Sequence, residues 1–175
     1  MENQPVIEVL VASEEHIKYV DEILDTINRA AKIRGTGIAK RSPEYVTQKM
    51  VEGKAVIAIC NGEFAGFSYI ESWSNKQFVA NSGLIVANKY RGLGLATRIK
   101  QRIFDLSREM FPEAKIFSLT TGAAVMKMNF DLGYRPVTFD ELTEPRILAR
   151  LRKLCQLRYF ATQRRTQMSM HRVAL

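Results

Sequence analysis

The segment RGLGLA, residues 91–96, combines an arginine with two glycines at the point where an apolar run gives way to helical periodicity. Glycine lets the backbone approach a ligand closely, and the first N–H groups of a helix have no partners within that helix. Such a helix N-terminus binds phosphate groups, and the arginine guanidinium suits the same anion. The pattern therefore predicts a phosphate-binding loop. A tight strand-to-helix turn whose glycines serve packing alone explains the spacing equally well.

Two familiar phosphate-binding motifs do not fit this segment. A P-loop requires Gly-Lys-Ser or Gly-Lys-Thr at its end, and the chain contains neither. A dinucleotide-binding fingerprint requires a third glycine, but Thr97 occupies that position. Any phosphate group bound here must therefore be held by a different motif.

The elements that would position this loop follow from hydrophobic periodicity and from turn and cap residues. Ser42 followed by Pro43 predicts a helix start, and an Asn-Gly pair predicts a hairpin turn. In chain order, the predicted elements are a helix at 14–33, a helix at 43–52, strands at 55–60, 64–72 and 76–86, a helix at 94–110, a strand at 115–121, a helix at 123–133 and an extended segment at 135–142.

The stretch YRGLGLATRI resembles the acyl-CoA pyrophosphate loop of the GNAT acetyltransferase superfamily, whose pattern Arg/Gln-x-x-Gly-x-Gly/Ala falls on Arg91, Gly94 and Ala96. The order of elements over about residues 5–144 is also similar. The resemblance implies a single α/β (α+β) domain with a mixed, mostly antiparallel sheet flanked by helices. It also implies an acyl-CoA co-substrate such as acetyl-CoA, no metal, and a homodimer. The implied CoA-binding residues are Leu84, Ile85, Val86, Arg91, Gly92, Leu93, Gly94, Leu95, Ala96 and Thr97.

A narrower resemblance connects several segments, in the right order, to the short N-acetylglutamate synthases of arginine biosynthesis. The segments are AKRSPEYV, VIAICNGEFAGFSYIES, IFSLTT and LGYRPVTFDEL. This resemblance implies acyl transfer from CoA to the α-amine of glutamate, with the acyl group an acetyl, a succinyl or a longer chain. An acetyltransferase for another small-molecule or protein amine, and a CoA-binding sensor without turnover, remain open alternatives.

The same resemblance suggests roles for individual residues. Arg41 and Lys40 are the candidates for binding an acceptor carboxylate, because arginine can do so bidentately, and Arg34 and Arg135 are weaker ones. Glu71, near the end of a predicted strand, is the candidate general base. Asn129 stands where many GNAT enzymes have a tyrosine that acts as general acid, and an amide cannot protonate a thiolate. We expect Tyr134 to pack in the core.

Charge and cysteine content restrict the other functions that we expect of the chain. The whole net charge of +8 lies in residues 145–175, which contain eight Lys or Arg and no Asp or Glu, so we do not expect nucleic-acid binding to be the main function. Two distant cysteines fit a reducing cytoplasm and do not form a zinc motif. No apolar run approaches the roughly 20 residues of a membrane span. We expect a cytoplasmic protein without membrane contact.

The basic segment 145–175 sets a predicted boundary for the domain at residue 144. The short synthases end instead in a Trp-containing segment with paired cysteines. One permitted codon choice for residues 146–160, read one base later, encodes a segment with one tryptophan and two cysteines. We therefore hypothesise that the chain from about residue 145 onward is a frameshifted terminus.

Overall fold

The computed structural model describes residues 5–34, 41–73, 75–120, 122–137 and 169–173. Its strands are β1 (Ile7–Val11), β2 (Ala55–Cys60), β3 (Glu63–Trp73), β4 (Phe78–Val86), β5 (Lys115–Thr120), β6 (Tyr134–Val137) and β7 (Ser169–Val173). Its α-helices are α1 (Val20–Arg34), α2 (Pro43–Val51), α3 (Leu95–Met110) and α4 (Ala123–Asp131), and a 3₁₀ helix at Glu14–Tyr19 leads into α1.

The described strands form one mixed sheet in the order β1-β2-β3-β4-β5-β7-β6. Strands β4 and β5 are parallel, and every other neighbouring pair is antiparallel. Helix α3 connects β4 to β5, as a parallel pair requires a long crossover. The predicted α/β class, with a mixed and mostly antiparallel sheet flanked by helices, is confirmed.

The sheet opens into a fork between β4 and β5. Their pairing runs from Phe78 opposite Lys115 to Asn81 opposite Ser118, although β4 continues to Val86. The register of β4 against β3 also shifts in this region, between Phe67 and Tyr69 of β3, which marks a β-bulge. The edge of β4 beyond Asn81 therefore has backbone groups that β5 does not bond within the described chain.

Each face of the sheet carries its own hydrophobic core. On one face, residues of α1 and α2 such as Ile23 and Met50 pack against β2 and β3. On the other face, α3 buries a stripe at helical spacing, which consists of Leu95, Ile99, Ile103 and Leu106. Full burial of one such side chain contributes roughly 1.5–3 kcal/mol, so the stripe holds α3 firmly against the sheet, chiefly on β2, β3 and β4.

Local sequence signals explain most element boundaries. The side chain of Ser42 accepts a hydrogen bond from the Tyr45 backbone N–H at 3.2 Å, with Pro43 as the first helical residue. Asn61 and Gly62 form the hairpin turn between β2 and β3, with φ values of 50° and 81°. The helix predicted over 14–33 begins as 3₁₀ turns and becomes α-helical at Val20.

Two described strands are absent from the predicted elements: β1 near the start of the chain and, in the segment after residue 144, β7. Strand β7 lies within the segment set apart by its charge, and it pairs with both β5 and β6. The extended segment predicted over 135–142 is a strand at Tyr134–Val137, and its remainder lies outside the described residues. The domain boundary at residue 144 and the frameshifted terminus stay predictions.

Candidate active site

The glycine loop ends at a residue whose backbone is in the left-handed conformation and which caps the N-terminus of α3. Gly94 is the N-cap of α3 with a φ of 70°, and the first helical hydrogen bond runs from the Arg98 N–H to the Gly94 carbonyl at 3.2 Å. The N–H groups of the first turn therefore point away from the helix without carbonyl partners inside it. A Cβ added at Gly92 or Gly94 would meet nothing within 4 Å, so neither glycine is needed for close packing. The loop conformation and the exposed Arg91 suit an anion.

An exposed cluster anchors the residues just before the glycine loop. The side chains of Lys89 and Tyr90 both donate to one carboxylate oxygen of Glu63 on β3, the Tyr90 hydroxyl at 2.5 Å. These hydrogen bonds lower the pKa of Glu63, and the one from Lys89 has the largest effect. The cluster ties the turn before Arg91 to the β2–β3 hairpin, a contact that sequence spacing does not indicate.

The last residues of β4 form one wall of the fork. Leu84 and Val86 pack against the core beneath α3, whereas Ile85 is buried on the face of α1 and α2. This stretch pairs with β3 on one edge and, within the described residues, with no strand on the other. That other edge can hydrogen-bond an extended ligand in the manner of an added strand. The fork and the N-terminus of α3 follow one another along the chain, so one elongated molecule can contact both.

Arg41 lies on the opposite face, against two tyrosine rings. Its Nε donates to the Tyr69 hydroxyl at 2.6 Å, and its guanidinium carbon lies 5.7 Å from the ring centroids of both Tyr45 and Tyr69. Arg135 is exposed on β6. The other two predicted carboxylate-binding residues, Lys40 and the side chain of Arg34, lie outside the described part of the chain.

Glu71 is buried beside the Arg41 region and forms an ion pair with Lys49. The Lys49 ammonium donates to Glu71 Oε2 and to the Ile70 carbonyl, both at 3.0 Å. Burial, followed by the charge of Lys54, lowers the pKa of Lys49 to about 8. The sequence analysis did not identify Lys49 as a site residue. Lys49 follows Tyr45 by four residues on α2, so both lie on one helix face, and this spacing is the signal that was available.

A buried polar network lies under the fork on the α3 face. Lys100 is 2% exposed, its ammonium donates to Ser118 Oγ at 3.1 Å, and burial lowers its pKa to about 7. The Tyr134 hydroxyl donates to the Asn81 side-chain carbonyl at 2.9 Å, and burial raises the pKa of that hydroxyl. Tyr134 is in the core, as predicted. Asn81 and Ser118 are the last paired residues of β4 and β5, so this network supports the base of the fork.

Asn129 is fully buried on α4, and neither its amide nitrogen nor its amide oxygen has a hydrogen-bond partner among the described residues. A buried amide without partners costs folding free energy, on the order of 1–3 kcal/mol. Among the described residues, the amide of Asn129 therefore has a donor and an acceptor that form no hydrogen bond. The amide side chain of Asn129 has no hydroxyl or other group that could protonate a thiolate.

The fold defined by this sheet and fork is that of the GNAT acetyltransferases. The chain matches no protein-family model and no curated protein sequence. It is similar in structure to the N-acetylglutamate synthase of Neisseria gonorrhoeae complexed with coenzyme A and N-acetyl-glutamate (TM-score 0.66, 17% identity), with 99% of this chain and 36% of that one covered. The chain thus spans about a third of the synthase.

Two similar structures are matched over nearly their whole length. One is an acetyltransferase of the GNAT family from Staphylococcus aureus (TM-score 0.65, 13% identity, 95% of this chain and 98% of that one covered). The other is a Mycobacterium tuberculosis protein in complex with CoA (TM-score 0.65, 15% identity, 96% and 99% covered). These similarities show the GNAT fold, which confirms the prediction from the sequence at the level of the fold.

Within the described residues, no helix combines the length and apolar character needed to cross a membrane. The same residues contain no group of three or more His, Cys, Asp or Glu side chains arranged to hold a metal ion.

Proposed function

We propose that this protein is an acyl-CoA-dependent N-acyltransferase whose acceptor is a small primary amine, with glutamate as the preferred acceptor. One observation carries the proposal: the fork of the sheet opens beside the glycine-capped N-terminus of α3. An acyl-CoA has a pyrophosphate for the helix N-terminus and an extended pantetheine arm for the free edge of β4. Arg91, Gly92, Leu93, Gly94, Leu95, Ala96 and Thr97 would hold the first, and Leu84, Ile85 and Val86 the second.

The acceptor would bind on the face of α1 and α2. Arg41 presents a guanidinium there, and a guanidinium suits a carboxylate of an amino acid. Glu71 supplies a buried carboxylate on this face, held by Lys49, and would take the proton of the acceptor ammonium directly or through water. The remaining acceleration would come from holding the amine against the thioester and from β4 N–H groups that polarise the thioester carbonyl.

Similarity to a synthase complexed with coenzyme A and N-acetyl-glutamate supports glutamate as the acceptor. Arginine biosynthesis in the cytoplasm is proposed as the context on the resemblance of the sequence to the short synthases. A homodimer is proposed on the same resemblance. Asn129 favours a second candidate function, a CoA-binding sensor without turnover, because this amide offers no proton to a leaving thiolate.

The test measures thiol release from acetyl-CoA and from succinyl-CoA, each with and without L-glutamate. Glutamine and spermidine serve as alternative acceptors. Glutamine lacks the side-chain carboxylate of glutamate, and spermidine has no carboxylate. Glutamate-dependent release would establish the proposed reaction and identify the donor. CoA binding without release in the presence of any of these amines would favour the sensor instead.

A further inference from the structure

Tyr69 contacts both halves of the proposed site. Its side chain is buried on β3, where its hydroxyl accepts a hydrogen bond from Arg41 Nε at 2.6 Å. The same ring lies against the backbone of Gly83 in β4. One side chain therefore joins the residue proposed to bind the acceptor to the strand proposed to bind the acyl-CoA.

The contact with Gly83 is close enough to be specific. Gly83 has a φ of 68°, and a Cβ added there would lie 2.3 Å from Cε1 and 2.7 Å from Cδ1 of Tyr69. The ring therefore fills the space that any other side chain at position 83 would need. Gly83 also lies in the bulge where the β3–β4 register shifts, two residues after the last β4–β5 pair.

Neighbouring aromatic rings limit the freedom of Tyr69. The ring of Tyr45 meets it edge-on at a centroid distance of 5.8 Å, and the ring of Phe67 lies at 6.1 Å. A ring held on these sides keeps its hydroxyl in one place, and a fixed acceptor orients a guanidinium better than a mobile one.

We propose that Tyr69 is a positioning residue that sets the bulge at Gly83 through its ring and the orientation of Arg41 through its hydroxyl. The inference rests on the proposed function, since it assigns the bulge to the acyl donor and Arg41 to the acceptor. It deepens that function by making the geometry of the two half-sites depend on a single side chain.

The first test is Tyr69→Phe, which removes the hydroxyl and keeps the ring. We expect the KM for the acceptor to rise about tenfold, because a hydrogen bond to a charged group is lost, while kcat and the Kd for CoA stay unchanged. Tyr19→Phe is the matched control, since the Tyr19 hydroxyl also forms a 2.6 Å hydrogen bond, but to the Gly62 carbonyl in the β2–β3 turn and not to Arg41. A KM for Tyr69→Phe equal to that of the control would overturn the role of the hydroxyl.

The second test is Gly83→Ala, which places a methyl group against the ring. The displaced ring should shift both the bulge and Arg41, so we expect the Kd for CoA and the KM for the acceptor to rise together. A rise in the CoA Kd alone would overturn the link between the half-sites. Thermal unfolding of each variant shows whether it is folded.

These results are distinguishable from failure of the proposed function. Wild-type protein that binds CoA and acylates no amine would remove the proposed function. The ring's role would then be judged by CoA binding alone, which Gly83→Ala must weaken and Tyr69→Phe must leave unchanged.

Discussion

The ammonium of Lys49 on α2 lies 3.0 Å from a carboxylate oxygen of Glu71 on β3. Both side chains are largely buried, with 13% and 11% of their surfaces exposed. A buried carboxylate is stable only when it is paired and hydrogen-bonded, and Lys49 provides both kinds of contact. The pair therefore holds an acidic group in an otherwise cationic and aromatic part of the site.

Replacing Glu71 by Gln should remove the group that accepts the proton of the amine. We expect kcat to fall by about 10²- to 10⁴-fold, the usual contribution of a general base, with the Kd for CoA unchanged. Glu52→Gln is the control, because Glu52 is a more exposed carboxylate that pairs with Lys54 nearby. Steady-state kinetics decide the matter, and a Glu71→Gln kcat within twofold of wild type would exclude Glu71 as the base.

Replacing Arg91 by Ala should weaken CoA binding without affecting stability. Arg91 is exposed beside the glycine loop, so its main contribution would be charge-assisted hydrogen bonds to phosphate. We expect the Kd for CoA to rise about tenfold at low salt and the difference to shrink as salt screens the charge. Calorimetric titration measures this. Arg29→Ala on the surface of α1 is the control, and an unaltered Kd at low salt would contradict the assignment.

The parts of the fold that the sequence predicts are those set by local chemistry. The Ser42 cap, the Asn61–Gly62 turn and the apolar stripe of α3 each depend on residues within one or two turns of chain. The glycine loop was predictable for the same reason. Gly92 and Gly94 both have positive φ values, and a Cβ at either would meet nothing within 4 Å, so backbone conformation and not packing favours glycine at these positions.

The contacts that spacing could not predict are those between distant segments. Lys49 meets Glu71 only because α2 packs across β3, and Tyr69 meets Gly83 only because β3 and β4 pair with a bulge. Strand β7 escaped prediction because its charge pattern placed it in a separate segment. The frameshift hypothesis for that segment stays untested, and resequencing the 3′ end of the gene would check it.

Replacing Asn129 by Leu should make the protein more stable and less active. Leucine keeps the branched arrangement of side-chain heavy atoms, and it removes an amide whose two polar atoms have no partners in the described chain. We expect the free energy of unfolding to rise by about 1 kcal/mol, as removal of an unsatisfied buried polar group allows. If the amide serves the bound thioester, kcat should fall in the same variant. Urea unfolding and steady-state kinetics together test this, and greater stability with unchanged kcat would leave Asn129 without a role in transfer.

Replacing Lys100 by Met should change how stability depends on pH. Burial lowers the pKa of Lys100 from 10.5 to about 7 in the folded protein, where its ammonium donates to Ser118 Oγ and lies 5.0 Å from the centroid of the Tyr134 ring. Between about pH 7 and pH 10.5 the unfolded chain thus binds more protons than the folded one at this site, so the contribution of Lys100 to stability rises with pH across that window.

Below about pH 7 the ammonium is charged in both states, and the folded state bears the whole cost of burying it. Lys100→Met should therefore be more stable than wild type at pH 6, by a few kcal/mol, since one pKa unit corresponds to about 1.4 kcal/mol. That advantage should narrow toward pH 9 as wild-type Lys100 becomes neutral. Urea unfolding at pH 6, 7.5 and 9 measures the trend, with exposed Lys127→Met as the control. Parallel curves for Lys100→Met and wild type would show that Lys100 keeps its charge throughout this range.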